Sequence, residues 1–193
     1  MKFNKEELIE ILNDLKLEEE IDLLDITQLD LYMDQVIQLF ENNLSHSKRN
    51  KEDKLLSKTM INNYTKDKLL MPVKNKKYTR NHVILMILIY NLKQSLSIND
   101  IKVLFNNIVS NLQQEENSQI DLVKFYNKFM KVRKEQILSE ETFLNQMICK
   151  VEEVSSEGDN KDYENILLAV LTLINSANIQ RRVAEKIIDK YFM

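Results

Sequence analysis

The segment NHVILMILIYNLKQ, residues 81–94, is the most apolar stretch of the chain and limits the folds that the chain can adopt. Apolar side chains fill every position from Val83 to Tyr90, so a helix built from them has no polar face. Such a helix is buried in a core unless it reaches the ~20 apolar residues that a bilayer span needs. We therefore predict a helix over residues 81–94 at the centre of the core, and no transmembrane segment.

Helical periodicity continues on both sides of this segment. The string SIND, residues 97–100, places an acidic residue three positions after a serine, which predicts a capped helix start. Upstream, we predict helices over residues 5–16 (N-cap Asn4), 31–43 and 58–67, a polar loop or mobile insertion over 45–54, and a loop or wing over 71–79. Downstream, we predict a helix from 97 to 110, a boundary at 111–117, and helices over 119–136, 140–155, 162–176 and 179–192, with Ser139 and Asn178 as N-caps and Gly158 in a connection.

Scarcity of turn-forming residues supports the same fold class. The 193 residues include one Gly and one Pro, whereas average usage is about 7% and 5%. A dinucleotide-binding fingerprint and a P-loop both need several glycines, and sandwiches and barrels need frequent turn signals. We therefore predict an all-α protein whose connections are made by Asn, Ser, Asp and Lys.

Histidine and cysteine, the side chains that most often act as catalytic bases or nucleophiles, are rare in this sequence. His46 and His82 are the only histidines, and neither lies in a zinc-protease or di-iron pattern. We expect His46 to be solvated, and His82 to have a structural or phosphate-adjacent role. Cys149, the only cysteine, is expected to be a small core residue rather than a nucleophile. The sequence therefore predicts no enzyme, no catalytic residue, no metal and no cofactor.

Charge is distributed unevenly along the chain. Residues 1–47 carry −9, residues 48–80 carry +8 and residues 81–193 carry −2, which gives the net charge of −3. A basic block in an acidic protein is a candidate polyanion-binding surface, and a solvated lysine-rich surface explains the charge equally well. The first ten residues, MKFNKEELIE, have no apolar signal-peptide region, so we expect a soluble cytoplasmic protein.

The helix predicted at residues 58–67 lies inside the basic block. Helical spacing turns Met60, Ile61 and Tyr64 inward. The outward face then comprises Lys58, Thr59, Asn62, Asn63 and Lys66, and the following segment adds Lys74, Lys76, Lys77 and Arg80. Asn amides can bond adenine in the major groove, whereas Lys and Thr contact phosphates or bases. These nine residues are the predicted DNA-binding site, and the alternative is an ordinary polar surface in an Asn-rich protein.

The order of elements over residues 57–105 resembles the MerR-type winged helix-turn-helix. That family has Tyr-Tyr-Glu-x-x-Gly-Leu-Leu at the end of its recognition helix, a Pro- and Arg-rich wing, Tyr-Ser before a long helix, and then Ser-Leu-x-x-Ile-Lys-x-Leu. The matching strings here are INNYTKDKLL (61–70), Pro72–Lys77, Tyr78-Thr79 and LSINDIKVLF (96–105), with Asp34–Phe40 in place of the first helix. Lys68 replaces the family's Gly, Asn63 replaces its first Tyr, and residues 45–56 replace its short turn.

A second resemblance rests on the strings LYMDQV (31–36) and TMINNYTK (59–66). They are similar to an uncharacterised bacterial domain-of-unknown-function family, number 1836, common in low-GC Gram-positive bacteria, over residues 28–110. This resemblance implies no established activity. It divides the chain into an acidic helix at 1–27, a MerR-like winged-helix domain at 28–110, and a small helical bundle at 111–193 for dimerisation or an effector.

The MerR resemblance implies a transcriptional regulator that binds double-stranded DNA. One short helix reads too few base pairs for specificity, so we expect a homodimer formed through helices of residues 112–193. The alternative is an all-helical adaptor that recognises another protein and does not bind DNA. The sequence leaves open the operator, the choice of activation or repression, and the existence of an effector.

Overall fold

The computed structural model describes residues 4–114, 120–155 and 161–193, and its central element is a buried helix. This helix, α4, spans Arg80–Leu92, and every side chain from His82 to Ile89 is buried. Thr79 and His82 form a capping box at its start. The prediction of a core helix at this place is confirmed, because a helix without a polar face is stable only when it is covered on all sides.

Helices α2 (Met33–Leu44), α3 (Lys58–Lys66) and α5 (Ile98–Gln114) share a hydrophobic core with α4. Val36 and Phe40 on α2, Ile61 on α3 and Ile101 on α5 are almost completely buried. Leu55 and Leu56, just before α3, are buried in the same core. The amphipathic stripes of these helices therefore face one another, as their periodicity predicts.

A two-stranded antiparallel ladder is the only sheet within the described residues. Strand β1, Leu31–Tyr32, pairs with β2, Lys77–Tyr78, so that Leu31 lies opposite Tyr78. The prediction of a helix beginning at residue 31 is wrong by two residues, since β1 precedes α2. A pair of strands 46 residues apart depends on tertiary contacts, which helical periodicity does not report.

The chain forms two compact units. The larger unit comprises Glu19–Lys131 and Glu185–Met193, and the smaller unit comprises Met1–Glu18 and Val132–Ala184. Residues 19–27 thus belong with α2–α5, and Leu122 and Tyr126 lie in their core. These units differ from the predicted division at residues 27/28 and 110/111.

The smaller unit contains α1 (Lys5–Asp14) and parts of two long helices, α6 (Leu122–Val154) and α7 (Lys161–Tyr191). Its buried core is Leu8, Leu144, Met147, Ile148, Val151 and Ala169. Asn4 caps α1 as predicted, its side chain accepting from the Glu7 N–H at 3.0 Å.

The predicted helix breaks at Ser139 and Asn178 are wrong, because α6 and α7 continue through both positions. The Ser139 hydroxyl donates to the carbonyl of Gln136 at 2.7 Å within the helix instead of capping a new one. Neither position is followed by a Gly or Pro that would stop a helix. Helix α5 also runs past the predicted end at residue 110 to Gln114. The end of the predicted boundary, Asn117, and the glycine of the predicted connection, Gly158, lie outside the described residues.

The all-α prediction is confirmed: the described parts of the chain contain seven α-helices and one short ladder. Within residues 4–114, 120–155 and 161–193, no helix combines the length and apolar character of a membrane span.

Candidate nucleic-acid interface

Helix α3 is anchored by a cap at its start and by two buried side chains. The Ser57 hydroxyl accepts from the Met60 N–H at 3.2 Å, which satisfies one free donor of the first turn. Ile61 and Tyr64 are buried, and burial raises the pKa of Tyr64 above 10.0. One side of this nine-residue helix is therefore fixed to the core.

The other side of α3 is polar and open to solvent. All five residues predicted to face outward are exposed: Lys58, Thr59, Asn62, Asn63 and Lys66. The predicted orientation of the two faces is confirmed, with Met60 half-buried at their border. The exposed face offers amide, hydroxyl and ammonium groups, which are donors and acceptors suited to base edges and phosphates.

The end of α3 has the geometry of a Schellman motif. The Leu69 N–H bonds to the carbonyl of Tyr64 at 2.8 Å, and the Lys68 N–H bonds to that of Thr65 at 3.1 Å. Lys68 has a positive φ of 61°, in the left-handed region that Gly adopts most easily. Lys68 therefore makes this backbone turn without a glycine.

Residues 74–77 form a tight hairpin turn within the segment 71–79 that was predicted as a loop or wing, and this turn is called the wing below. The Lys77 N–H bonds to the carbonyl of Lys74 at 3.0 Å, and both central residues have positive φ, 54° at Asn75 and 59° at Lys76. This pattern belongs to a type I′ turn, which matches the twist of antiparallel strands. This turn thus forms without a glycine.

The wing lysines have different surroundings. Lys74 and Lys76 are exposed at the turn. Lys77 is half-buried, with its Nζ 5.5 Å from the centre of the Tyr32 ring. Helix α2 contacts both α3 and β2, the strand that leaves the wing, so α3 and the wing are attached to the same element.

Lys58 and Arg80, two further residues of the predicted site, contact other parts of the protein. The Lys58 Nζ lies 2.7 Å from the Asp34 carboxylate of α2, with both side chains largely exposed. Exposed pairs of this kind contribute little stability, so Lys58 can exchange Asp34 for a phosphate. The Arg80 Nη2 donates to the carbonyl of Leu23 at 2.6 Å, which gives Arg80 a structural function at the start of α4.

Comparison with protein families covers most of this region. A family model described as "Domain of unknown function (DUF1836)" matches residues 21–129. The chain belongs to this family. No curated protein and no solved structure matches the sequence significantly.

The DUF1836 match coincides with the larger core rather than with the shorter span of 28–110 noted in the sequence. It begins at Ile21 and ends just after Tyr126, and the buried Tyr126 hydroxyl donates to the carbonyl of Ile21 at 2.7 Å. Periodicity marked Tyr126 only as a helical residue, so this contact between the two ends of the DUF1836 region was missed.

Within the DUF1836 region, His82 has a structural role. Its ring is buried, and Nδ1 accepts from the Thr79 N–H at 3.1 Å and the Thr79 hydroxyl at 2.8 Å. Nε2 then donates to the carbonyl of Met71 at 3.2 Å, so the neutral ring makes all its bonds. Burial lowers the pKa of His82 below 6.5, against opposing effects of the Met71 bond and Asp30. His82 therefore connects α4 to the segment between α3 and the wing.

Two predictions about single residues are wrong. His46 is half-buried rather than solvated, with its Nδ1 3.1 Å from the Glu19 carboxylate. Cys149 is exposed on α6 rather than buried in the core. The core face of α6 carries Met147, Ile148 and Val151, and the ~100° rotation per residue moves Cys149 off that face.

Among the residues that the structure describes, no group of three or more His, Cys, Asp or Glu side chains is placed to hold a metal ion. The expectation of a protein without catalysis, metal or cofactor stays a prediction.

Proposed function

We propose that this DUF1836 chain is a DNA-binding transcriptional regulator that recognises duplex DNA with α3 and the wing. The observation that carries the proposal is the exposed polar face of a capped helix whose opposite face is fixed in the core. The succession of α2, α3, wing and α4 supports the finer proposal of a MerR-like winged helix-turn-helix variant. Such an arrangement presents a short helix to the major groove while the flanking wing contacts the backbone.

In this proposal the asparagines of α3 read sequence and the lysines supply affinity. Asn62 and Asn63 bond the N6 and N7 atoms of adenine, which are a donor and an acceptor in the major groove. Lys58, Thr59 and Lys66 contact phosphates or base edges beside them. Loss of the asparagines should therefore weaken sequence preference more than overall affinity.

The wing lysines contact the sugar-phosphate backbone. Lys74 and Lys76 are exposed at the turn and are the main contacts, whereas Lys77 is partly held by Tyr32. Arg80 adds its positive charge near the wing, while its guanidinium stays bonded to the Leu23 carbonyl. Phosphate contacts of this kind make affinity depend steeply on salt concentration.

The protein would act in the cytoplasm as a homodimer, without catalysis or a bound cofactor. Two copies of α3 read two half-sites of the DNA. A single short helix contacts too few base pairs for useful specificity. The homodimer extends the number of base pairs read without extending α3 itself.

The test reverses three exposed charges at the proposed interface. The variant K66E/K74E/K76E leaves out Lys77, because its ammonium packs on Tyr32. We expect its affinity for mixed-sequence duplex DNA to fall at least about a hundredfold at ~150 mM salt. The matched control, K102E/K128E/K131E, reverses three exposed lysines elsewhere in the larger unit and should bind as the wild type does. Circular dichroism checks that both variants keep their helix content.

Equal DNA affinity for the wild type and K66E/K74E/K76E would show that this surface is not the DNA-binding site. A wild-type chain that binds neither duplex DNA nor heparin at low salt would instead favour the protein-interaction adaptor.

A further inference from the structure

Helix α7 presents an exposed apolar stripe within the smaller unit. The side chains are Tyr163, Leu167, Val170, Leu171 and Ile174, with exposed fractions of 71%, 47%, 52%, 58% and 58%. Asn165 and Ala169, on the opposite side of the same turns, are buried. The stripe is therefore the face of α7 that points away from the core of its own unit.

The spacing of these residues is that of a helix–helix seam. Positions 163, 167, 170, 174 and 177 alternate steps of four and three, and carry Tyr, Leu, Val, Ile and Ala. Two apolar positions per seven residues form the seam along which helices pair side by side. Single exposed apolar residues are common on surfaces, but a continuous stripe marks an interaction surface.

Charges at the two ends of the stripe indicate what covers it. Glu164 lies at one end, and Arg181 and Arg182, both exposed, lie at the other. A second copy of α7 in parallel would place Arg181 against Arg181. A second copy in antiparallel orientation places Arg181 over the Tyr163 ring and Arg182 near Glu164, which are favourable pairs.

We propose that α7 pairs with α7 of a second copy of the chain, antiparallel, about a two-fold axis midway between Val170 and Ile174. Val170 then packs on Ile174 of the second copy, and Leu167 packs on Ala177 of the second copy. Every contact occurs twice, as an isologous interface requires. Residues 163 and 181 are 18 positions apart, so the seam is about 27 Å long.

This pairing is carried by α7 alone and stands apart from the proposed DNA binding. It adds to that proposal a specific dimer surface. Measuring self-association without DNA keeps the two proposals separable, because K66E/K74E/K76E should remain dimeric.

The first experiment is sedimentation equilibrium of the full chain at tens of micromolar. We expect a dimer for the wild type and a monomer with unchanged helix content for L167E/I174E. The matched control, V132E/L138E, replaces two exposed apolar residues of α6 and should stay dimeric. A monomeric wild type would overturn the proposal and leave the stripe for another protein. A dimeric L167E/I174E would also overturn it, because the dimer would then use another surface.

The second experiment determines orientation by disulfide formation. In a Cys149→Ser background, chains with Leu167→Cys and chains with Ala177→Cys are mixed and oxidised. We expect disulfides between the two kinds of chain and few within each kind. Disulfides joining like chains would show a parallel pair and overturn the proposed orientation.

Discussion

The two compact units use similar amphipathic helices but bury them to different degrees. In the larger unit, 26 apolar side chains among the described residues form one buried cluster, which makes it a rigid platform for α3 and the wing. In the smaller unit the buried cluster has six, and clefts of about 520 and 600 Å³ lie beside α6 and α7. Apolar periodicity therefore predicts a helix in both units, whereas the number of neighbours decides how firmly that helix is held.

The two units also have different proposed roles, DNA binding for the larger unit and self-association for the smaller one. The DUF1836 match covers the larger unit up to residue 129, where the candidate DNA-binding residues lie. The smaller unit presents the α7 stripe that we assign to a second copy. A unit with few buried side chains gains most from such a partner, because association buries apolar surface that its own fold leaves in water.

The largest changes in stability are expected when a buried leucine is truncated to alanine in each of the two cores. Leu85→Ala, at a position with no exposure, should lower the free energy of unfolding by about 3–5 kcal/mol, and Leu144→Ala, in the six-residue core of the smaller unit, by about 2 kcal/mol. Urea unfolding followed by circular dichroism measures both changes. Equal losses would contradict the difference in packing between the units.

The same comparison can be made without mutation, by hydrogen exchange. Amides of α4 should open only with the highest free energy in the chain, and amides of residues 161–184 with a clearly lower one. Faster exchange in α4 than in α7 would show that the number of buried side chains does not determine local stability in this protein.

A smaller effect is expected at His82, which connects α4 to the segment after α3. His82→Gln should lower the free energy of unfolding by about 1–3 kcal/mol, since the Thr79 and Met71 groups lose a buried partner. Because the pKa of His82 is lower in the folded chain than in the unfolded chain, the unfolded chain binds a proton first as the pH falls. The contribution of His82 is thus full above pH 6.5 and is lost as the pH falls below that value toward the lower folded pKa.

Thermal unfolding between about pH 5 and 8 measures this dependence. The decrease in stability below pH 6.5 should shrink in His82→Gln and persist in His46→Gln, which removes the only other histidine. A pH dependence that follows His46 instead would contradict the assignment to His82.

The smallest expected effect tests the helix end that presents α3. Lys68→Gly should raise the free energy of unfolding by about 1 kcal/mol, because Gly adopts positive φ without a Cβ clash. Lys68→Ala is the control, since it removes the same side chain but keeps the Cβ, and should give no gain. A similar gain in both variants would show that the Lys68 side chain, rather than its backbone, is unfavourable.

Much of the fold was predictable where local pattern and tertiary contacts agree. The apolar run of α4 predicted its burial, and helical spacing predicted both faces of α3, including the exposure of Asn62 and Asn63. The Asn4 cap followed from a short-range hydrogen bond that side-chain chemistry alone dictates.

Other features depend on contacts between distant residues. Strand β1 exists only because Tyr78 lies opposite Leu31, and Arg80 is held by Leu23, 57 positions earlier. Positive φ at Lys68, Asn75 and Lys76 is imposed by the surrounding fold on residues that do not favour it. The predicted break at Ser139 failed because its hydroxyl bonds to the preceding turn of the same helix instead.

The candidate site was predictable in its composition but not in its surroundings. Exposure of the five α3 residues followed from periodicity. The packing of Lys77 on Tyr32 and the pairing of Lys58 with Asp34 did not, because both partners precede α3 in the chain by more than 20 residues.

The proposed function depends on recognition of duplex DNA by the outward face of α3. Selection of bound duplexes from a random-sequence pool, with the full-length wild type and N62A/N63A compared at one salt concentration, tests it most directly. We expect the wild type to enrich a motif with adenines at defined positions, and N62A/N63A to lose this preference while keeping salt-dependent affinity. The same motif enriched by both proteins, or no motif with the wild type, would contradict the proposed function.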